Sequence, residues 1–147
     1  MIKHKQALAV MLLLSSALVS AEEHTVNLVT SGSDGQLMVM EPGYLNIAVG
    51  DTVNFIPADA THNAQSVSVP DGAEEFLTPM GKDAKVTFSE QGVYIYKCVP
   101  HLAMGMIGVI QVGNAVNIDG AKKSAKKLKR NIAMNKDRLP AYMKQVN

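Results

Sequence analysis

Val93-Tyr94-Ile95-Tyr96-Lys97-Cys98-Val99-Pro100-His101-Leu102-Ala103-Met104-Gly105-Met106 decides how this chain is read. The first half has strand character: Val93, Ile95 and Lys97 fall on one face, and Tyr94, Tyr96 and Cys98 on the other. The second half is a loop with an unusual donor set. Cys98 is the only cysteine, and the spacing C-x2-H-x4-M brings a thiolate, an imidazole and a thioether into one turn of chain. Soft and borderline donors of this kind suit copper. One short loop cannot close a coordination sphere, so a fourth donor is expected from elsewhere. His62, in Thr61-His62-Asn63-Ala64, is the best candidate. His24 is the other histidine available, but it lies beside the expected mature N-terminus and should be exposed. Met104 competes with Met106 as the thioether, whereas Met38, Met40 and Met80 read as core packing.

Outward from the loop, short strand-like runs alternate with turn signals. His24–Thr30, Leu37–Met40, Tyr44–Val49, Thr52–Ile56 and Lys85–Ser89 precede the quoted strand, and Met106–Val112 follows it. Gly, Pro and Asp clusters separate them: Ser31–Gly35, Glu41–Gly43, Gly50-Asp51 and Glu90–Gly92. Residues 58–81 are the least regular part, with one short helical turn expected around Ala73–Leu77. This pattern predicts an all-β sandwich or barrel over about residues 22–113. After Gly113 the period changes. Ala121, Ala125, Leu128 and Ile132 stand at helical spacing among lysines, which predicts an α-helical tail over about 114–147, interrupted near Pro140 and packed on the sandwich. In a sandwich the strand-end loops gather at two poles, so the His62 and Cys98 loops can meet at one of them. Two imidazoles and a thiolate in a plane, under a weak thioether, make the blue-copper electron-transfer geometry.

The chain opens like a secretory signal peptide. Lys3, His4 and Lys5 precede the apolar run Ala7–Val19, and Val19-Ser20-Ala21 offers small residues before a cut, so residues 1–21 read as the leader and the mature chain as one domain, 22–147. The apolar run is shorter than the roughly 20 residues of a membrane-spanning helix, which argues against an uncleaved anchor. Export makes a lone cysteine notable: it is a buried bystander, an intermolecular disulfide or a protected reactive group, and metal ligation is one form of protection. The net charge of +1 hides an asymmetry. Between Glu22 and Gly120 three lysines face twelve Asp and Glu, while from Ala121 onward nine Lys and Arg face the single acid Asp137. An acidic body with a basic tail suits electrostatic docking or packing. Export and the acidic body speak against nucleic acid.

Met38-Val39-Met40-Glu41-Pro42, Gly50–Pro57, His62-Asn63 and Lys97–Met106 together resemble the pseudoazurins, small cupredoxins, and the resemblance runs through essentially the whole mature chain. It implies a cupredoxin-type Greek-key sandwich and one copper ion per chain, cycling between Cu(I) and Cu(II) on His62, Cys98, His101 and Met106. It also implies a bond from Asn63 across to the cysteine loop. The function implied is single-electron shuttling by a periplasmic monomer. The partners implied are a copper nitrite reductase, a c-type cytochrome, or both. His101, in the apolar neighbourhood of Pro100, Leu102, Ala103 and Met104, is the natural electron port. Two rival readings stand against this one. A copper enzyme needs a second metal site bridged from the cysteine loop, yet Lys97 and Val99 flank Cys98 and the mature chain has only three histidines. A periplasmic copper carrier or chaperone needs an open, exchangeable site, for which the methionines are the argument.

Overall fold

The computed structural model describes residues 20–147; residues 1–19, which hold most of the leader expected over 1–21, lie outside the described residues. Eight strands form two four-stranded sheets. β1 (Glu23–Ser31), β2 (Leu37–Glu41), β4 (Thr52–Pro57) and β6 (Ala84–Thr87) make one, in the order β2-β1-β4-β6. β3 (Tyr44–Ile47), β5 (Gln65–Ser68), β7 (Gly92–Lys97) and β8 (Ile107–Val112) make the other, in the order β3-β8-β7-β5. Each sheet is mixed: β1 runs parallel to β4 and β3 parallel to β8, with the remaining pairs antiparallel.

The alternation of side chains along the strands builds the core between the sheets. Val26, Leu28, Val53 and Phe55 point in from the first sheet, and Tyr94, Tyr96, Ile110 and Val112 from the second. Cys98 and Met106 belong to this same cluster. The other face of β7 and β8 is not solvated. Val93, Ile95, Ile107 and Val109 pack against Ala121, Ala125, Leu128, Ile132 and Leu139. That is why β7 and β8 read as apolar on both faces. Helix α1 (Ile118–Lys129) and helix α2 (Arg138–Met143) supply the cover. Burial of Leu128, Ile132 and Leu139 contributes about 2 kcal/mol each before ordering costs.

Several expectations are corrected. The irregular stretch contains a strand, β5, whose register shifts between Ser66 and Ser68 against β7. The shift breaks the alternation that would have announced it. The helical turn expected at Ala73–Leu77 does not form. Phe76 instead enters the core, its ring 5.6 Å from Phe55 and 5.9 Å from Phe88. Its backbone pairs with Ser66, Ser66 N–H donating to Phe76 O at 2.9 Å. The tail is interrupted at residues 130–137 rather than at Pro140, which sits in the first turn of α2. A first-turn N–H has no partner within the helix, so proline is tolerated there. Met80 is exposed rather than core, while Met40 is buried and Met38 partly so.

Candidate metal centre

The cysteine loop is a tight connection between β7 and β8. Cys98 N–H donates to Met106 O at 2.9 Å, closing the loop at its base. Within it, Leu102–Met104 make one turn of 3-10 helix ended by Gly105 at φ +78°. That left-handed conformation favours glycine. Gly105 N–H donates to Leu102 O at 2.9 Å and Met106 N–H to His101 O at 3.2 Å. The backbone therefore folds back on itself, and His101 and Met106 leave it at fixed positions.

His62 arrives from the loop after β4. β4 is set by its parallel pairing with β1, so the end of β1 and the His62 loop lie at one pole. There Cys98 Sγ is 3.5 Å from His101 Nδ1 and 3.9 Å from His62 Nδ1. The two Nδ1 atoms are 3.2 Å apart. His62 and Cys98 are fully buried, and His101 is half-buried.

The far nitrogen of His62 fixes its tautomer. Nε2 lies 2.9 Å from Thr30 Oγ1, and Thr30 donates its own hydroxyl proton to Asp59 Oδ2 at 2.8 Å. Thr30 must then accept, so Nε2 carries the proton and the Nδ1 lone pair faces Cys98. Asp59 Oδ2 also lies 3.3 Å from Nε2. Thr61, through its hydroxyl and N–H, and then Thr30, hold the Asp59 carboxyl well below the usual carboxylate range. A carboxylate behind a histidine orients the ring and raises its basicity as a ligand. Burial lowers the His62 pKa, with Asp59 partly opposing, so the ring is neutral at pH 7. Burial also pushes the Cys98 thiol up, against backbone N–H donors from Asn63 and His101 that favour the thiolate.

The expected bond between the two loops is present: Val99 N–H donates to Asn63 Oδ1 at 2.9 Å. Met106 is fully buried in the cluster that holds Cys98, whereas Met104 is only half-buried and lies in the 3-10 turn. His24 is not the exposed residue expected. Its Nε2 is 2.8 Å from the buried Asp51 carboxylate, near the start of β1. At about 3.3 Å per residue, that is some ~20 Å along the strand from Thr30. Thr30 carries no sequence signal, because only the fold brings the end of β1 beside the His62 loop, and Asp59, three residues before His62, reads as an ordinary loop acid without it.

Three ligand atoms from His62, Cys98 and His101 lie within 4.8 Å of one another. A buried, unpaired thiol facing two imidazoles is a donor set that fits copper. The family model described as copper binding proteins, plastocyanin/azurin family, matches residues 26–113. A pseudoazurin from Paracoccus pantotrophus is 36% identical over 150 aligned positions that cover 100% of each chain.

The chain belongs to the pseudoazurin family.

A putative pseudoazurin from Rhizobium leguminosarum bv. viciae is 43% identical over 114 residues, 76% of this chain and 74% of that one. The crystal structure of native pseudoazurin from Hyphomicrobium denitrificans is similar at a TM-score of 0.75 and 35% identity, covering 85% of this chain and 98% of the other. As a pseudoazurin the chain is a blue-copper cupredoxin, and copper-based electron transfer is its activity. Its metal is copper, and the site is built around His62, Cys98 and His101.

Proposed function

We propose that His62, Cys98, His101 and Met106 together hold one copper ion, and that the chain shuttles single electrons in the periplasm, exchanging them with a copper nitrite reductase, a c-type cytochrome or both. The observation that carries this reading is the convergence of Cys98 Sγ and two Nδ1 atoms at one pole of the sandwich. The burial of Met106 beside Cys98 supports it over Met104 as the fourth donor. Copper, when bound, supplies the one-electron couple. The protein's part is to hold the donors still, so that little rearrangement accompanies the change of charge. The Asn63 bond and the closed turn at Gly105 do this for the loops, and Thr30 with Asp59 does it for the His62 ring.

His101 is the one histidine of the three-donor cluster that is not fully buried. Around it Val99, Pro100 and Ala103 are exposed and Leu102 half-exposed, a small apolar surface of the kind used in brief redox encounters. Lys122, Lys123, Lys126, Lys127 and Arg130 are exposed on or just after α1 and offer steering toward an acidic partner. Lys85 contributes less, because it pairs with Glu23 at 2.7 Å. Among the described residues no helix is long and apolar enough to cross a membrane. The non-enzymatic reading is supported by the residues flanking Cys98, which are Lys97 and Val99 rather than a bridging histidine. A carrier that hands copper on is less well supported, since His62 and Cys98 are closed off from solvent.

The test is stopped-flow electron transfer from the reduced protein to a copper nitrite reductase at several salt concentrations. The on-rate should be fast at low salt and fall steeply as ionic strength rises. A rate indifferent to salt would remove the steering role of the tail, and no transfer at all would remove this partner.

A further inference from the structure

The segment between α1 and α2 lies across the copper loop. Three successive carbonyls of that loop are taken by donors from the tail. Ala103 O accepts from Ala133 N–H at 2.8 Å and from Met134 N–H at 2.9 Å. Met104 O accepts from Asn135 Nδ2 at 2.9 Å. Gly105 O accepts from Arg138 Nη1 at 3.2 Å. The packing is close as well as hydrogen-bonded: a Cβ at Gly105 would sit 2.8 Å from Met134 O. Asn135 holds the corner at φ +55°, a conformation asparagine tolerates better than most residues.

Arg138 is the unusual member. It is 8% exposed and forms no ion pair among the described residues. Its guanidinium faces neutral oxygens instead. Besides Gly105 O, Nη1 donates to Met38 O at 2.7 Å, Nη2 to Leu37 O at 2.9 Å and Nε to Gln36 Oε1 at 3.1 Å. Burying an unpaired cation is costly, and only saturation of its donors offsets that cost. A planar fork of five donors can reach two other chain segments at once and so tie three together, which a lysine ammonium does less well. The segments joined are the edge strand β2, the loop immediately before Met106, and the tail itself.

We propose that Ala133–Arg138 is a strap that positions the copper loop, with Arg138 as its anchor. The strap fixes the direction of the peptide planes at residues 103–105, and through them the approach of His101 and Met106 to the metal. Arg138 and Asn135 are thus positioning residues, acting through the loop and not touching the ion. The inference rests on the copper-site reading above.

The experiment compares Arg138→Met and Asn135→Ala with Leu128→Ala in the copper-loaded mature chain. Leu128 is buried under α1 against the outer face of the second sheet and is not among the strap's donors. Visible and EPR spectra, the rate of copper loss to excess chelator, and the melting temperature of the metal-free protein are recorded for each. Removing residues that orient metal ligands through hydrogen bonds commonly weakens metal binding at least about tenfold. Arg138→Met should therefore release copper about tenfold faster with an altered spectrum. Asn135→Ala should move both readouts the same way by less, and Arg138→Lys should not restore them. Leu128→Ala should lower the melting temperature while leaving the spectrum and the release rate, measured well below melting, as in the parent. The strap is refuted if Arg138→Met and Asn135→Ala lower only the melting temperature, or if Leu128→Ala disturbs the copper spectrum equally. Should Arg138→Met fail to fold, Asn135→Ala decides alone by the same criteria. A parent protein without the visible copper band would instead overturn the copper-site reading, so the two failures are distinct.

Discussion

Truncating Asn63 to alanine severs a side-chain bond that ties one ligand loop to the backbone of the other. Asn63 is 5% exposed, and its Oδ1 accepts from Val99 N–H at 2.9 Å. No atom of alanine can replace that acceptor, so the cost is the bond itself together with an N–H left without its partner. For a partly buried amide this amounts to about 1.5 kcal/mol. In the metal-free protein the full amount should appear as lost stability, read as a lower urea midpoint with an unchanged slope. The loaded protein is different, because the metal also ties the loops together. Binding must then order loops that Asn63 previously held, and Cu(I) affinity should fall by up to about tenfold, the equivalent of 1.4 kcal/mol. Urea melts of the metal-free protein and competition with a Cu(I) chelator measure the two quantities independently. The reasoning fails if stability drops while copper affinity stays at the parent value, since the bond would then support the fold without organising the site.

Other outcomes follow from the same geometry. Pro100→Ala adds a backbone N–H next to the thiolate loop; a new donor to sulfur favours the reduced state, and voltammetry should show the potential rising by about 40 mV for roughly 1 kcal/mol. An unchanged or lower potential counts against that. Tyr96 is fully buried and its hydroxyl has no partner among the described residues, so Tyr96→Phe should be neutral or stabilising by up to about 1 kcal/mol in urea melts. Gly108→Ala should be severely destabilising in the same assay, because its Cβ would collide with the Tyr96 phenol. Asp51 accepts from Glu22 N–H, Ala48 N–H and His24, and the Glu22 bond above all holds its pKa below the ordinary value. A depressed folded-state pKa gives stability that is present above the unfolded value near 3.8 and is lost as pH falls through the folded one. Asp51→Asn should therefore melt lower than the parent at pH 7, with the gap closing in acid; a gap that persists undiminished at pH 2 would contradict this.

The sequence carried the site further than it carried the fold around it. Cys98, His101 and Met106 are legible because a short loop cannot separate them, and His62 because so few histidines compete. The β7 and β8 strands were legible from alternation, although their two apolar faces make sense only once the tail is seen covering one of them. β5 was hidden by its bulge at Ser66–Ser68, which disrupts the period-two pattern. Phe76 was hidden by helix-forming neighbours, whose local preference yields to burial of one ring among Phe55, Phe88 and Tyr96. Thr30, Asp59, Asn135 and Arg138 carry no local signal at all. Thr30, Asn135 and Arg138 act across contacts of high sequence separation, such as Arg138 with Met38 or Thr30 with His62, whereas Asp59 stands only three residues before His62 and gains its meaning once Thr30 is beside it.

Everything here turns on one buried sulfur and two imidazoles binding a single copper ion. Titrating the reduced metal-free protein with Cu(I), oxidising it, and following the visible spectrum tests this most directly. An intense thiolate-to-copper charge-transfer band should appear, saturate at one copper per chain and be absent in Cys98→Ser. A protein that stays colourless after oxidation with copper present, or a band that survives the loss of Cys98, would contradict it.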